Sequence, residues 1–402
     1  MVLYKRTIFD EIEPYIGDEG IIVLHGARQV GKTHILQFIQ NWLEKKQRKV
    51  FSYDLELPEL LEIMNLGTKS FLLDLSNKGY KEGEDTFVLI DEIQYLDDPS
   101  SFLKIIADHN KNIHLIVTGS SSFDIKSKFS NSLAGRTFEF EIFPLTFKEF
   151  LEFKKSEYQY GSELSVAALS SFKKYYSEFV KFGGYPRVVL ESDEVKKKKY
   201  LLQIIDTYIR KDVRDLADIT NVTKFNGMLK ILASQSGQIL NIPSLSREAN
   251  LSLPTIKKYL SILEETYIVK LVTPFSNSPS VEISKNPKIF MYDSGLQSIL
   301  WLNNFQSTLV GSIFETNVFG ELTKKYGRNN IHFWRNKRQK EIDFIIERDD
   351  LSILPIEVKT NFAQFNQKSL NTFLKKYKIT KFKVVGLLGE KDNDYHIHPW
   401  EI

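Results

Sequence analysis

The segment IIVLHGARQVGKT, residues 21–33, constrains the fold of this chain more than any other stretch of its sequence. Its first four residues are apolar and predict a short buried strand, and apolar residues with helical spacing follow Thr33. Between the two, the sequence fits the pattern G-x-x-x-x-G-K-[ST] at every fixed position. A strand, a glycine loop and a helix in this order predict a phosphate-binding loop. Backbone N–H groups and the positive end of the helix dipole converge there on phosphate oxygens.

This motif predicts which residues contact a bound nucleotide. Lys32 is expected to reach the β- and γ-phosphates and to act in catalysis, and the Thr33 hydroxyl is expected to bind Mg²⁺. The alternative is a chance glycine loop, which the lysine, the hydroxyl and both flanking elements disfavour. The spacing does not distinguish ATP from another nucleotide. The predicted phosphate-contacting residues are Gly26, Ala27, Arg28, Gln29, Val30, Gly31, Lys32, Thr33 and His34.

A second predicted strand, which ends in two acidic residues, lies in TFVLIDEIQYL, residues 86–96. Residues 87–90 are continuously apolar, as expected for a strand buried on both faces of a parallel sheet. The strand ends in Asp91 and Glu92, the pair that a Walker B element supplies. We therefore predict that Asp91 holds Mg²⁺ through water and that Glu92 polarises the attacking water as a catalytic residue.

Two more strands complete the predicted nucleotide-binding core. The strand Ile113–Val117 leads to Thr118 and Ser120, whose hydroxyls are placed to sense the γ-phosphate or water, or else belong to a polar turn. Arg136 precedes a fifth strand and is expected to act as a catalytic arginine on the γ-phosphate, in its own chain or in a neighbour. Arg187 and Arg210 are further candidates for that role. Alternating strands and helices predict an α/β parallel-sheet domain over residues 1–144.

Three further domains are predicted after this core. Residues 145–222 have a helical, lysine-rich and aromatic-rich pattern that predicts a helical lid domain. The four lysines 196–199 predict a solvated helix start, with contact to nucleic acid as the alternative. Residues 223–276 give the order helix, helix, tight turn, helix, strand, which is typical of a winged helix-turn-helix. Its third helix is expected to expose Thr255, Lys257, Lys258 and Tyr259. This exposed face could contact DNA, or it could pack against another part of the protein in an oligomer; the sequence leaves both alternatives open.

The C-terminal segment, residues 277–402, carries a second constellation of charged residues. Glu315 lies on a predicted helix, Asp343 lies in one predicted strand, and Glu357 and Lys359 lie on the same face of the next strand. Acids on neighbouring strands can hold a divalent metal, and a lysine beside them can orient or deprotonate a water. On this reading Glu315, Asp343 and Glu357 bind metal, and Asp343, Glu357 and Lys359 are catalytic. The alternative is a salt bridge in which Lys359 neutralises one of the acids.

Composition limits the location and the chemistry. The chain has no cysteine, which excludes disulfides, thiol catalysis and cysteine-ligated zinc, and which suits a reducing cytoplasm. No apolar run approaches membrane-spanning length and the N-terminus has no secretory pattern, so we expect a cytoplasmic protein without a membrane partner. The net charge of +3 neither requires nor excludes nucleic acid, because a basic patch can be local.

The two constellations together resemble a family of prokaryotic AAA+-like ATPases that carry a C-terminal PD-(D/E)XK nuclease-like domain of unknown function. The resemblance implies ATP as the nucleotide. It also implies that Asp343, Glu357 and Lys359 form the D…ExK signature, with Glu315 as the helix-borne acid. The proline-aspartate pair of that signature is absent, because Asp343 follows Glu341 and Ile342. The stretches that carry the resemblance are GARQVGKT, FVLIDEIQYL, LIVTGSSS, LAGRTFEFEIFPLTFKEFL, GGYP, YIRKDV, FETNVFGEL, EIDFII and IEVK.

The predicted fold class is therefore α/β, with a P-loop AAA+-like ATPase domain, a helical lid, a winged helix-turn-helix and a C-terminal restriction-endonuclease-like domain. Two functions follow from it. In the first, an Mg²⁺-dependent ATPase controls a C-terminal nuclease-like or DNA-binding module. In the second, ATP switches a module that binds DNA or a protein, and the nuclease-like domain is catalytically inactive. DNA, a partner protein and a second copy of the chain all remain open as partners.

Overall fold

A computed structural model describes residues 3–119, 133, 135–161, 164–207, 221–276 and 285–402. Clustering of contacts divides the chain into two compact units, Met1–Phe143 and Pro144–Ile402. Within the described ranges, no helix is both long enough and apolar enough to cross a membrane.

The N-terminal unit is built on a five-stranded parallel sheet with the strand order β2-β3-β4-β1-β5. Strands β1 and β3 are buried along their whole length, as their continuous apolar runs predict. The strands are β1 Ile21–Gly26, β2 Lys49–Asp54, β3 Thr86–Asp91, β4 Ile113–Gly119 and β5 Thr137–Ile142; the helices are α1 Phe9–Ile12, α2 Lys32–Lys45, α3 Pro58–Asn65, α4 Thr68–Asn77 and α5 Pro99–His109.

The parallel topology decides where functional residues can meet. The carboxyl ends of β1, β3 and β4 lie at one edge of the sheet, so the P-loop, Asp91 and Thr118 come together there. The amino ends lie at the opposite edge, where the N–H of Ile21 donates to the carbonyl oxygen of Arg136 over 2.8 Å. Residues that precede and follow a strand therefore lie at opposite edges of the sheet, even when they are close in sequence.

The C-terminal unit combines many helices with a two-stranded and a five-stranded sheet. Its helices are α6 Phe147–Phe153, α7 Val166–Phe182, α8 Pro186–Leu190, α9 Glu194–Thr207, α10 Val222–Ser234, α11 Ile242–Ala249, α12 Leu253–Glu265, α13 Ser294–Leu302, α14 Gly311–Tyr326 and α15 Lys368–Tyr377; its strands are β6 Val269–Val272, β7 Lys288–Met291, β8 Ile331–Arg335, β9 Glu341–Glu347, β10 Ile353–Asn361, β11 Lys383–Leu388 and β12 His396–Ile397.

Helices α10 to α12 and strand β6 follow the order that the sequence predicts for residues 223–276. Strand β6 pairs antiparallel with β7, so the predicted boundary between residues 276 and 277 cuts through a hairpin. Strand pairing across a long connection leaves no local signal, so this pair could not be predicted from the sequence. Lys257 and Lys258 are exposed, but Tyr259 is buried against Phe225, with ring centroids 5.2 Å apart, and is not part of the exposed face.

Two buried polar groups organise the helices of this unit. Asp293 accepts hydrogen bonds from the N–H groups of Leu296 (2.8 Å) and Gly184 (2.7 Å). A Cβ on Gly183 would overlap the Asp293 carboxylate, which explains the paired glycines of GGYP. Lys197 is 2% exposed and donates to the carbonyl of Val188 over 2.7 Å, so the predicted solvated start at residues 196–199 is wrong at this position.

The five-stranded sheet has the order β12-β11-β10-β9-β8 and is mixed. The pairs β8–β9 and β9–β10 are antiparallel, whereas β10–β11 and β11–β12 are parallel. Phe344 of β9 packs against Phe319 of α14, and Ile345 joins a cluster with Leu370 and Phe373 of α15. Since successive residues of a strand point to opposite faces, α14 and α15 cover opposite faces of this sheet.

Candidate functional site

The backbone of the P-loop has a shape that only glycine permits at one key position. Gly26 has a φ of 153°, and a Cβ there would overlap the carbonyl oxygen of Ile142 on the adjacent strand. Gly31 has a φ of 97° and precedes the first residue of α2. The two glycines let the chain turn sharply out of β1 and enter the helix.

The start of α2 has the character of an anion-binding helix end. No side chain of the described residues caps Gly31, and the first turn contains no acidic residue. The first intrahelical bond runs from the N–H of Ile35 to the carbonyl of Gly31 over 3.0 Å, so the N–H groups of the residues before Ile35 precede the hydrogen-bonded ladder. Such groups and the helix dipole together favour a phosphate.

Lys32 lies against the loop that precedes it. Its Nζ donates to the carbonyl oxygens of Gly26 (3.1 Å) and Ala27 (2.9 Å), and the residue is 6% exposed. The ammonium is thus held within the curve of the loop, where a bound phosphate competes with these carbonyls for its protons. The neighbouring Thr33 and His34 are exposed at the start of the helix.

Sequence reasoning missed Arg6, which braces the loop from outside. Its Nη1 donates to the carbonyl of Val30 over 2.8 Å, and its Nη2 donates to the carbonyl of Phe143 over 2.9 Å. Arg6 is 7% exposed although it lies in the lead-in segment before α1. No motif in that segment signals this role, because both of its partners are backbone atoms distant in sequence.

Thr118 links the two acids that follow strand β3. Its hydroxyl donates to Oδ1 of Asp91 and accepts a hydrogen bond from the N–H of Glu92 over 3.1 Å. Thr118 is fully buried, and its hydroxyl contacts both Asp91 and Glu92; its predicted role in sensing a phosphate stays a prediction. Ser120, the second predicted hydroxyl, lies outside the described residues.

Asp91 also connects the strand end to the P-loop. Its carboxylate forms a hydrogen bond with the side chain of Thr33. Burial raises the pKa of Asp91, the bonds from Thr118 and Thr33 act against that rise, and the charges of Glu92 and Asp54 add to it. A hydroxyl and a carboxylate in contact at this position are the oxygen ligands that Mg²⁺ prefers.

Glu92 is held in an unusual backbone conformation. Its φ of 56° and ψ of 48° lie in the left-handed region, which is uncommon for a residue other than glycine. The side-chain amide of Gln94 donates to its carboxylate. Gln94 is a second residue that the sequence reasoning missed, although it stands two positions after the acid that it orients.

Arg136 is not near the phosphate site of its own chain, so the prediction that it acts on a γ-phosphate stays open only for a neighbouring chain. It lies at the amino end of β5, and the P-loop follows the carboxyl end of the parallel neighbour β1. Six strand residues span about 17 Å. The guanidinium instead pairs with Asp108, with Nε 2.9 Å from Oδ1. Of the other arginine candidates, Arg187 stacks on Tyr200 and Arg210 lies outside the described residues.

The second predicted constellation is assembled around Lys359. Its Nζ lies 3.1 Å from Oδ2 of Asp343 and 3.0 Å from Oε2 of Glu357, as expected for side chains on one face of neighbouring strands. The N–H of Val358 also donates to Asp343 over 2.8 Å. Glu315 faces a different cation, because its Oε1 lies 3.7 Å from Nζ of the buried Lys288.

The charges of this cluster shift its pKa values strongly. Burial and the neighbouring Asp343 raise the pKa of Glu315 and of Glu357 to about 8. Burial opposes ionisation of Asp343 too, but the ammonium groups of Lys359 and Lys288 outweigh it and lower the pKa of Asp343. The surroundings of Glu315 and Glu357 therefore favour their protonated forms, which reduces the number of buried negative charges.

The predicted C-terminal metal site does not fit this arrangement. Among the residues that the structure describes, no group of three or more histidines, cysteines, aspartates or glutamates is placed to hold a metal ion. Lys359 lies between Asp343 and Glu357, and Glu315 is turned to Lys288. The contacts of Lys359 with Asp343 and Glu357 are those that the salt-bridge alternative predicts.

Comparison with known proteins divides the chain into three matched segments. Residues 18–151 match a family described as an AAA domain. Residues 173–308 match the domain of unknown function DUF8612, and residues 310–401 match the domain of unknown function DUF4143.

Relatives that match nearly the whole of this chain occur in several organisms. An uncharacterized protein of Methanocaldococcus jannaschii is 29% identical over 95% of this chain and 84% of the relative. An uncharacterized protein of Haemophilus influenzae is 26% identical over 97% of this chain and 95% of the relative. Among solved structures, AMPPCP-bound DnaA from Aquifex aeolicus matches with a TM-score of 0.31 and 17% identity, over 64% of this chain and 86% of that one.

The AAA match covers the residues whose geometry is described above. It includes the P-loop, Asp91, Glu92 and Thr118, and it ends shortly after the fifth strand of the parallel sheet. The N-terminal part of this chain is therefore an AAA-type ATPase domain with a P-loop.

Proposed function

We propose that the protein hydrolyses ATP with Mg²⁺ and that its nucleotide state controls the C-terminal unit. The observation that supports this most is the hydrogen-bonded series Thr33, Asp91, Thr118 and Glu92. It joins the P-loop to both acids at the carboxyl end of β3. Such a connected site favours hydrolysis over passive binding, because it orients a base as well as a phosphate.

Each residue of the site has a separate task in this proposal. Lys32 leaves the loop carbonyls and neutralises the β- and γ-phosphates. Thr33 and Asp91 would hold Mg²⁺, which supplies charge neutralisation for the phosphoryl oxygens when it is bound. Glu92, oriented by Gln94, accepts a hydrogen bond from the attacking water and polarises it. Thr118 keeps the two acids in place.

Arg136 acts, in this proposal, on a neighbouring copy of the chain. Its position at the amino edge of the sheet excludes contact with the phosphates of its own P-loop. The amino edge of one copy can face the carboxyl edge of the next in a head-to-tail assembly. Arg136 would then leave Asp108 for the γ-phosphate of the neighbour, as a catalytic arginine supplied in trans does.

The peptide that joins the two units is held on both sides, which favours control of one by the other. On one side, Arg6 binds both the P-loop carbonyl of Val30 and the carbonyl of Phe143. Beyond it, Nζ of Lys324 on α14 donates to the carbonyl of Leu145 over 2.8 Å. A shift of the P-loop on nucleotide binding would be passed along the chain to α14, the helix that carries Glu315.

For the C-terminal unit we favour a binding module over a metal-dependent nuclease. Helices α10 to α12 with the β6–β7 hairpin are consistent with a winged helix, and the mixed sheet with α14 and α15 is consistent with a nuclease-like fold. Lys359 nevertheless lies between Asp343 and Glu357, and this contact favours the catalytically inactive alternative.

Two assays test these proposals. ATP turnover in the presence of Mg²⁺ is expected for the intact protein and not for Lys32→Ala. Plasmid DNA incubated with the protein and Mg²⁺ or Mn²⁺ is expected to stay uncut. Cleavage that disappears in Asp343→Ala would show that the nuclease-like domain is active and would overturn the second proposal.

A further inference from the structure

An open groove of about 610 Å³ runs along the outer side of α15. Its lining contains four lysines, one asparagine and one threonine, and no acidic or apolar residue. The lining residues are Lys340, Lys368, Asn371, Thr372, Lys375 and Lys376. We call this surface the lysine groove.

The helix periodicity of α15 explains why these side chains face outward together. Leu370 and Phe373 are fully buried against the sheet, which fixes the rotation of the helix. The groove residues of α15 stand at spacings of three and four from Lys368 onward, so they form one stripe on the opposite side. Nζ of Lys340 donates to Oγ1 of Thr372 over 2.7 Å and fixes the edge of the stripe.

The positive charge of this surface is uncompensated. Within the described part of the chain, none of the four groove lysines forms an ion pair, whereas lysines elsewhere in the unit do, such as Lys324 with Glu321. The sequence from residue 358 to residue 389 contains no aspartate or glutamate. The adjoining turn, RNKRQK at residues 335–340, adds exposed Lys337 and Arg338. The charge therefore extends beyond the groove itself.

We propose that the lysine groove binds the phosphodiester backbone of nucleic acid without reading its sequence. Lys368 and Lys375 are separated by seven residues, or about 10 Å along the helix axis, which is the length of about three phosphates of one DNA strand. Asn371 between them can donate hydrogen bonds to phosphate oxygens, whereas the Thr372 hydroxyl already donates to the carbonyl oxygen of Lys368 over 3.1 Å. Contacts of this kind hold a duplex in register and carry no base information.

The surface fits nucleic acid better than a membrane. A helix that lies on a bilayer directs its apolar face outward, into the lipid. The apolar face of α15 is instead buried, because Leu370 and Phe373 lie in the core of the sheet. A purely polar, cationic stripe matches a polyanion whose charge lies in an extended row.

This inference rests on the proposal that the C-terminal unit is a binding module, and it names the ligand class of that module. It does not depend on ATP turnover. DNA binding by the Lys32→Ala protein separates the two: binding without turnover leaves the groove assignment intact. Cleavage of plasmid DNA would overturn the proposal that the nuclease-like domain is inactive. The groove assignment would still be decided by the binding of DNA to the lysine variants.

The experiment compares two triple variants of the intact protein. One replaces Lys368, Lys375 and Lys376 by glutamine, and the matched control replaces the exposed Lys45, Lys69 and Lys81 of the N-terminal unit by glutamine. Binding of a fluorescent 30-base-pair duplex is measured by anisotropy over a range of NaCl concentrations. Circular dichroism checks that both variants are folded.

We expect the groove variant to bind the duplex at least tenfold more weakly and the control variant to bind like wild type. The slope of log K against log [NaCl] should fall in magnitude by about 3 for the three lost phosphate contacts. Wild-type protein that binds neither duplex nor single strand at 50 mM NaCl overturns the proposal. An equal loss in both variants, an unchanged slope, or binding to phosphatidylserine vesicles instead of DNA overturns it as well.

Discussion

Thr118 donates its hydroxyl proton to Asp91 and at the same time receives the N–H of Glu92, so one buried side chain positions both acids of the ATPase site. The position of Asp91, the proposed magnesium ligand, and the position of Glu92, the proposed base, therefore both depend on Thr118. It also explains why a threonine stands at the end of β4, where an apolar residue would pack equally well.

Replacing Thr118 by valine should lower the rate of ATP hydrolysis by about 10- to 100-fold. The change leaves a buried N–H and a carboxylate oxygen without their partner, at a cost of about 1–3 kcal/mol. Thr118→Ser keeps the hydroxyl and should restore most of the rate. Steady-state phosphate release measures both variants. Equal rates for valine and serine would show that the hydroxyl has no positioning role.

A mixing experiment tests whether Arg136 acts in trans. Arg136→Ala alone should lose about 10³- to 10⁵-fold in ATP turnover. Lys32→Ala alone should also be inactive. In a mixture, an Arg136→Ala copy keeps an intact P-loop and can receive Arg136 from a Lys32→Ala neighbour, so part of the activity should return. A mixture that stays inactive would argue against an arginine supplied by a neighbour, as would full activity of Arg136→Ala.

Arg6 should matter for nucleotide affinity because it holds the P-loop at Val30, although it lies outside the motif itself. Arg6→Ala leaves the carbonyls of Val30 and Phe143 without this donor and should weaken ATP binding about tenfold. Lys5→Ala is the matched control, because Lys5 pairs with Asp10 at the surface over 2.5 Å. Equilibrium binding of a fluorescent ATP analogue measures both. Equal affinities for the two variants would remove Arg6 from the site.

How well the sequence predicts the site depends on how far apart the residues of the site lie along the chain. Gly26, Lys32 and Thr33 stand in one short motif whose backbone constraints are local, and Asp91 follows an unmistakable buried strand. Arg6 and the position of Arg136 depend on strand register, which links residues more than one hundred positions apart. Propensity and spacing contain no information about such pairs.

The same distinction applies to the fold. Helices α10 to α12 were predicted in the right order because each has its own periodicity and cap. The pairing of strand β7 with β6 was not predicted, because residues 273–287 separate the two strands along the chain. Burial of Tyr259 and Lys197 was missed for a related reason. Their partners, Phe225 and Val188, belong to other helices, so the buried face could not be deduced from one helix alone.

The C-terminal charge cluster should make stability depend on pH. The pKa of Glu315 is about 8 in the folded protein and 4.5 is its ordinary value, so between pH 4.5 and 8 this residue binds up to one more proton in the folded state than in the unfolded state, and Glu357 does the same. The free energy of unfolding therefore falls as pH rises through this window, by up to about 1.4 kcal/mol per pH unit for each of the two glutamates, and stops falling above it.

Glu315→Gln removes the titration of Glu315 and keeps the shape of the side chain. The free energy of unfolding of this variant and of wild type is measured by urea titration at pH 5 to 9. The value for the variant minus the value for wild type should increase between pH 5 and 8 and stay constant above pH 8. Glu390→Gln changes an exposed acid and should leave the wild-type pH profile intact. A pH-independent difference between Glu315→Gln and wild type would mean that Glu315 is ionised in the folded protein.

The most direct test of the ATPase assignment is to measure ATP binding and single-turnover hydrolysis on the same preparations of wild type, Lys32→Ala and Glu92→Gln. The account predicts that wild type binds and hydrolyses ATP, that Lys32→Ala does not hydrolyse it, and that Glu92→Gln binds ATP with near wild-type affinity but hydrolyses it at least 100-fold more slowly, as loss of a general base requires. Hydrolysis by Lys32→Ala, or an unchanged rate in Glu92→Gln, would contradict it.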